Sequence, residues 1–155
     1  MSPESLRRPV RARDEVRRPV RARDELGRPI PVGDPRAVEP VDESPRPPAP
    51  TLDEAQRLLD QGRAFSAHEI LEARWKSCPP GEREFWQGLA QLCVGITHGQ
   101  RGNVVGAARL LRRGAARLRD YTGPTYGVDA GATAQWAETA AADPANTERH
   151  LRLRH

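Results

Sequence analysis

Cysteine and long apolar runs are both scarce in this chain of 155 residues. Two cysteines, Cys78 and Cys93, are too few for a disulfide framework and lack the spacing of a metal-binding pair. This usage is typical of a reducing compartment, so we expect a cytoplasmic protein. The longest apolar stretch, Leu89 to Ile96, is interrupted by Gln91 and is too short to cross a membrane.

Aromatic residues are absent from the first 50 residues, which are instead rich in proline and charge. Of the 15 prolines in the chain, 11 lie there, together with 11 arginines and 9 acidic residues. A segment of this composition cannot bury enough apolar surface to offset the entropy that it loses on ordering. We therefore predict a disordered tail over residues 1–50, a helical domain over residues 51–142 and a flexible C-terminal tail over residues 143–155.

The N-terminal tail contains a repeat with a period of ten residues. The sequence RRPVRARDE occurs at residues 7–15 and again at residues 17–25, and a third, divergent copy keeps Arg28, Pro29 and Asp34. Because these copies have no apolar face to stack, they do not predict a solenoid. We interpret them as a charge-balanced, low-complexity tail. The alternative is an Arg-rich arm that contacts nucleic acid or an acidic partner, although the interleaved acids cancel half of the Arg charge.

Helical patterns run through the predicted domain, and no segment shows the sustained alternation of a β-strand. Thr51 and Glu54 have the spacing of a capping box, which predicts that the first helix begins there. Asn103 and Asp129 are placed to cap two later helices. The sequence therefore predicts an all-α fold, a small bundle of four to five helices. Apolar residues at helical spacing give the predicted core: Phe65, Leu71, Trp75, Leu89 and Leu92.

Three glycines, Gly88, Gly95 and Gly99, lie along one flank of the predicted third helix. Glycine destabilises a helix relative to alanine, by roughly 1 kcal/mol per residue. A helix that carries three of them on one flank is expected to need them for the close approach of a neighbouring helix.

The densest polar pattern of the chain is FSAHEILEARW, at residues 65–75. At 100° per residue, His68 and Glu72 lie one turn apart on the face of Leu71 and Trp75. Buried polar groups must be paired, so we predict a structural His–Glu pair within this apolar face. Two side chains of the third helix project from a side that could meet the pair. The resulting candidate cluster is His68, Glu69, Glu72, Gln91 and His98.

The same region resembles a known family. The motif F-x-x-H-E-x-L-E-x-x-W at residues 65–75 is followed by G-L-A-Q-L at residues 88–92 and by H-x-x-R-G-N-x-x-G-A-x-R-L-L at residues 98–111. Together these motifs resemble domain of unknown function family 309 over roughly residues 51–140. The resemblance implies a small all-α fold found in prokaryotes, and it implies no particular activity.

The favoured function is a non-catalytic domain that binds a ligand or a protein partner, with the polar cluster fixing the packing of the helices. An alternative is a small metal-dependent, hydrolase-like enzyme that uses His68, Glu72 and His98 as metal ligands. The motif is not the H-E-x-x-H pattern of zinc proteases, because Glu72 stands where the second His belongs.

A third hypothesis is a nucleic-acid accessory protein that uses Arg109, Arg112 and Arg113 on the fourth helix. The spacing of three and four residues allows these side chains to cluster, although a solvated face is the simpler interpretation. The sequence identifies no cofactor, and it leaves open whether the protein is an enzyme.

Overall fold

The computed structural model describes residues 22–154, so the first two copies of the repeat lie largely outside the described residues. A short antiparallel hairpin precedes five α-helices, which confirms the all-α prediction. In chain order the elements are β1 (Ala22–Arg23), β2 (Pro29–Ile30), α1 (Pro48–Asp60), α2 (Ala64–Ser77), a 3-10 turn (Pro80–Glu82), α3 (Arg83–Gln100), α4 (Val104–Asp120) and α5 (Ala130–Ala142).

Each helix packs mainly against its neighbours in the chain, with α3 between α2 and α4. The centre of the core is the buried side of α3: Phe85, Trp86, Leu89, Leu92 and Cys93. Leu71 of α2 is buried as predicted, but Phe65 and Trp75 are half-buried. The reason is the rotation of α2, which turns a neighbouring stripe inward: Ala64, Ala67, Ile70 and Leu71. None of the described helices is long and apolar enough to span a membrane.

The contact between α3 and α4 depends on glycine, as predicted. A Cβ atom on Gly95 would lie 2.9 Å from the Leu111 side chain, and one on Gly114 would lie 2.8 Å from the carbonyl oxygen of Gly88. The first of these distances is too short for an ordinary side-chain contact, and the second places the two helix backbones against each other. Gly99 instead approaches the Pro144 carbonyl, where a Cβ would lie at 3.0 Å.

Two of the predicted helix caps are present. The side chain of Asn103 accepts a hydrogen bond from the Gly106 amide at the start of α4, and Asp129 accepts one from Ala132 at the start of α5. The predicted capping box at Thr51 is wrong, because α1 begins at Pro48 and the Thr51 hydroxyl donates back to the Pro47 carbonyl at 2.7 Å. Proline fits the first turn of a helix because the amides there have no helical partner.

Residues 22–47, which belong to the predicted disordered tail, make contacts with the helical domain. Val41 of this segment packs against the hydrophobic core. Arg63 donates a hydrogen bond to the Glu39 carbonyl at 2.8 Å. Composition did not indicate these contacts, because they use backbone carbonyls and a few side chains rather than an apolar face.

The C-terminal segment, predicted as a flexible tail, also makes contacts with the helical domain. Leu151 and Leu153 are buried, and the Leu153 amide donates to the Gln56 side chain of α1 at 2.6 Å. The Gln56 side chain also donates to the Leu151 carbonyl at 3.1 Å, so α1 holds this segment through two hydrogen bonds. The charges of this segment did not indicate these contacts.

Candidate functional site

Two guanidinium groups lie near the ring of Phe65, in the first turn of α2. The Cζ atom of Arg23 is 4.7 Å from the centroid of the ring, and that of Arg101 is 5.8 Å from it. The imidazole of His68 packs beside the ring, with the two centroids 5.1 Å apart. Cations are attracted to the face of an aromatic ring. The first residue of the motif therefore forms a contact surface at the edge of the domain instead of filling the core.

The backbone of the hairpin loop lies directly on this ring. Gly27 has a φ of +78°, and a Cβ atom on it would lie 2.3 Å from Cγ of Phe65. Arg23 donates from Nη1 to the Gly27 carbonyl at 2.7 Å, and Arg101 donates from Nε to the Leu26 carbonyl at 3.0 Å. Arg101, which follows α3 directly, thus ties the loop to the domain, whereas the hydrogen bond of Arg23 stabilises the loop from within.

Asp24 holds the loop in shape. Its Oδ1 atom accepts hydrogen bonds from the amides of Leu26 and Arg28 at 3.0 and 2.9 Å, and its Oδ2 atom accepts one from Nε of Arg28 at 2.8 Å. Burial by itself would raise the pKa of Asp24, but the hydrogen bonds from Arg28 outweigh it and lower the pKa. The loop is therefore closed around an ionised carboxylate.

A second contact joins the N-terminal segment to α2 through two carboxyl groups. Burial, followed by the charge of the nearby Glu43, raises the pKa of Glu69 to about 7, and a hydrogen bond between the two carboxyls adds to the shift. Arg23 acts in the opposite direction, and Glu72 adds a further upward influence. Two carboxyls this close favour a state in which they share one proton.

The predicted pair of His68 and Glu72 lies at the edge of the bundle, not within its core. His68 Nε2 and Glu72 Oε1 are 3.8 Å apart, and the side chains are 16% and 36% exposed. His68 Nδ1 is 3.1 Å from the Phe65 carbonyl, and the Glu72 carboxylate also faces Lys76 at 3.7 Å. The pair is thus a long, partly solvated contact, because the rotation of α2 brings its alanine stripe inward instead.

The other members of the predicted cluster point elsewhere. Gln91 accepts a hydrogen bond from Arg117 of α4 at 3.0 Å, and His98 contacts the Asn103 side chain at 3.1 Å. Both therefore serve the junction of α3 with α4, since that is the neighbour their side of α3 faces. Over residues 22–154, no three His, Cys, Asp or Glu side chains form a group that could hold a metal ion. The predicted ligands His68, Glu72 and His98 accordingly do not converge.

Sequence reasoning missed a buried cluster around Glu82. Its carboxylate accepts hydrogen bonds from Nε1 of Trp86 at 3.1 Å and from the hydroxyl of Tyr126 at 2.6 Å, and it lies 3.7 Å from the guanidinium of Arg74. Burial would raise the pKa of Glu82, but the bonds from Tyr126 and Trp86 outweigh it and lower the pKa. The four-residue spacing from Glu82 to Trp86 could have indicated their hydrogen bond. Tyr126 gave no such indication, because it lies 44 positions from Glu82 in the sequence.

The two cysteines and the three arginines of α4 are the remaining candidate residues. Both cysteines are buried, and burial raises the pKa of Cys93 to about 12, so that thiol is not a nucleophile at neutral pH. The three predicted arginines of α4 are exposed and line one shallow surface together with exposed valines and an alanine: Val104, Val105, Ala108, Arg109, Arg112 and Arg113.

Comparison with known proteins agrees with the resemblance. Residues 52–110 match the family model described as Domain of unknown function (DUF309). "Uncharacterized protein YpuF" of Bacillus subtilis (strain 168) is 48% identical to the chain over 48 residues, which are 30% of this chain and 28% of that protein. The match thus spans less than a third of that relative. No solved structure matches the chain significantly. The family-model match over residues 52–110 contains Phe65, Glu69 and Arg101, whereas the residues that contact them, Arg23, Leu26, Gly27 and Glu43, lie outside it.

Proposed function

We propose that this chain, which over residues 52–110 belongs to the family described as Domain of unknown function (DUF309), is a non-catalytic domain that binds a protein segment on the α2 face around Phe65. One observation carries the proposal. Phe65 and Glu69 lie inside the family segment, yet their partners Arg23, Gly27 and Glu43 lie outside it. The family motif thus forms a receptor face, and residues 22–47 are its occupant in this chain.

The chemistry of the contact supports a binding role. Arg63 and Arg101 donate to the backbone carbonyls of Glu39 and Leu26, so both hold the segment through groups that every residue possesses. The ring of Phe65 adds a flat apolar surface against which a guanidinium and a peptide backbone both pack. Arginine donors combined with an aromatic platform are suited to an irregular peptide, which cannot satisfy its own carbonyls.

The polar groups of the motif have partners within α2 or in the N-terminal segment rather than a common centre where they could carry out a reaction. His68 Nδ1 lies 3.1 Å from the Phe65 carbonyl of the same helix, and the nearby Glu43 of the N-terminal segment helps burial to raise the pKa of Glu69. This use of the motif favours binding over the metal-dependent alternative. It also distinguishes this face from the α4 surface of Arg109, Arg112 and Arg113, whose three side chains are exposed to solvent in the described structure.

Cutting the covalent link between occupant and receptor tests the proposal. A specific protease site inserted between Glu43 and Ser44 of the full-length chain, an exposed position, allows the folded protein to be nicked. We expect the N-terminal fragment to remain bound on size-exclusion chromatography and to dissociate on dilution with a measurable Kd. Phe65→Ala should weaken this association at least about tenfold, equivalent to about 1.4 kcal/mol.

The matched control is Val105→Ala, which removes an exposed apolar side chain from α4. It should leave the association of the fragment unchanged. Loss of the fragment from the nicked wild-type protein at micromolar concentration would contradict the proposal, as would equal weakening by Phe65→Ala and Val105→Ala.

A further inference from the structure

We infer that the α2 face around Phe65 selects a turn-forming segment of the pattern Arg-Asp-x-x-Gly-Arg, and that Gly27 determines which copy of the ten-residue repeat can occupy it. This inference rests on the proposed function and specifies the partner chemistry of the same site. The occupant that it names is Arg23 to Arg28 of this chain.

Each fixed position of the pattern has a separate contact. Arg23 packs on the Phe65 ring and donates to the Gly27 carbonyl. Asp24 accepts from two loop amides and from the side chain of Arg28, and the Asp24 amide donates to the Arg28 carbonyl at 3.1 Å. The loop is thus organised by its own side chains before any receptor group is counted. A preorganised ligand loses less entropy on binding.

Gly27 is the position at which the α2 face around Phe65 distinguishes one copy of the repeat from the other. Its φ of +78° is already unfavourable for a residue with a side chain, and a Cβ would lie 2.3, 2.6 and 2.7 Å from three atoms of Phe65. These atoms include Cβ and Cγ of Phe65, which cannot move aside as the end of a flexible chain would. Gly33 offers an internal comparison, because its φ is +92° but a Cβ there would meet nothing within 4 Å.

The repeat provides a near-copy of the occupant that fails at this one position. Residues 13–18 read RDEVRR where residues 23–28 read RDELGR. The copy has the Arg, the Asp and the final Arg, and Val16 is a conservative counterpart of Leu26. Arg17, however, replaces Gly27 and would place a long side chain where the receptor has no room for a methyl group. Only the second copy therefore fits the face.

Two alanine variants of the full-length protein separate steric selection from backbone strain. Hydrogen exchange of individual amides, followed by NMR, is the readout. In Gly27→Ala we expect the Arg28 and Val38 amides, which are hydrogen-bonded in this structure, to exchange at least about tenfold faster than in wild type. Gly33→Ala should leave both amides within about twofold of wild type. Equal effects of the two substitutions would overturn the steric argument.

A register shift provides the stronger test. Gly27→Arg should release the hairpin, because it gives the second copy the residue that the first copy carries. Adding Arg17→Gly to that variant should restore docking, with protection now at the amides of Asp14 and Arg18. The longer connection to α1 adds little entropic cost, because loop closure depends only weakly on length.

The possible results are distinguishable. The inference that the α2 face recognises the pattern is overturned by either of two results. One is protection of the Arg28 and Val38 amides that persists in Gly27→Arg. The other is a lack of protection at Asp14 and Arg18 in the Arg17→Gly/Gly27→Arg double variant. If the fragment of the nicked wild-type protein nevertheless stays bound, the proposed function stands and only the selectivity fails. If that fragment dissociates, the binding function itself fails.

Discussion

The cluster around Glu82 and the face around Phe65 both combine polar and aromatic side chains at the edges of α2 and α3, but different parts of the chain complete them. Glu82 is only 8% exposed, and its partners Arg74, Trp86 and Tyr126 come from α2, α3 and the loop before α5. Phe65 is half-buried and receives its cover from residues 23–27.

The difference in burial assigns the Glu82 cluster to the stability of the bundle and the Phe65 face to the binding of the N-terminal segment. An unpaired polar group in a closed, buried cluster is costly, so the Glu82 cluster fixes how the bundle packs. The side chains of the Phe65 face are partly exposed and can be rehydrated, so that face can lose its cover without unfolding the domain. The first cluster should therefore report on global stability, and the second on the docking of the N-terminal segment.

The largest expected effect is that of Trp86→Ala. Trp86 is fully buried, so we expect the free energy of unfolding to fall by about 3–5 kcal/mol, measured by urea denaturation. Trp75→Ala is the matched control, because Trp75 is only half-buried and should cost distinctly less. Equal losses of unfolding free energy in the two variants would show that the difference in burial between Trp86 and Trp75 does not determine their contribution to stability.

Glu82→Ala is expected to come next. It leaves the indole nitrogen of Trp86 and the hydroxyl of Tyr126 without their acceptor, at a cost of about 1.5–3 kcal/mol in the free energy of unfolding. Glu84→Ala removes an exposed carboxylate that pairs with Arg117, and should cost less than about 1 kcal/mol. If chemical denaturation shows that Glu84→Ala costs more unfolding free energy than Glu82→Ala, the claim that the buried Glu82 cluster stabilises the bundle is contradicted.

Phe65→Ala should have a smaller effect on global stability and a larger one on the N-terminal segment. Removing a half-buried ring is expected to lower the free energy of unfolding by about 1–2 kcal/mol. Limited proteolysis should then cut within residues 22–47 faster than in wild type, while α3 stays resistant. Uniform sensitivity along the chain would mean that Phe65 belongs to the global core.

The last prediction is a pH dependence of stability at Glu69. Its pKa is about 7 in the folded protein against an ordinary value of 4.5, because of burial and the facing Glu43. Folding therefore favours the protonated form, and this contribution to stability is fully present below about pH 4.5 and is lost as the pH rises through about 7.

Unfolding free energies at about pH 5 and about pH 8 check this sign. Wild type should lose more stability on going to the higher pH than Glu69→Gln, which cannot ionise. The other charged groups facing Glu69, namely Glu43, Arg23 and Glu72, are retained in that variant. Identical pH dependence in the two proteins would exclude the carboxyl pair as its source.

The helices were predictable because their signals are local. Asn103 and Asp129 cap the helices that follow them, and Gly95 permits the contact of α3 with α4 for the reason that its position indicated. The order of packing also follows from short connections, since each helix meets the next.

The site was only partly predictable. Helical periodicity places His68, Glu69 and Glu72 on adjacent positions of α2, but the rotation of α2 against α3 decides which of them face the core. The bond between Glu82 and Tyr126 joins residues 44 positions apart, which no local pattern indicates. The contacts of residues 22–47 could not be predicted from composition, because they depend on one loop centred on Asp24 and on the ring of Phe65 in the domain.

The most direct test of the binding account is amide hydrogen exchange across residues 22–47 of the unmodified full-length protein. The amides of Gly27, Arg28 and Val38 donate hydrogen bonds within the segment. We predict that they exchange more slowly than unstructured amides and that Phe65→Ala removes this protection while α3 stays protected. Exchange at unstructured rates in the wild-type protein, or protection that survives Phe65→Ala, would contradict the claim that the motif face of α2 binds this segment.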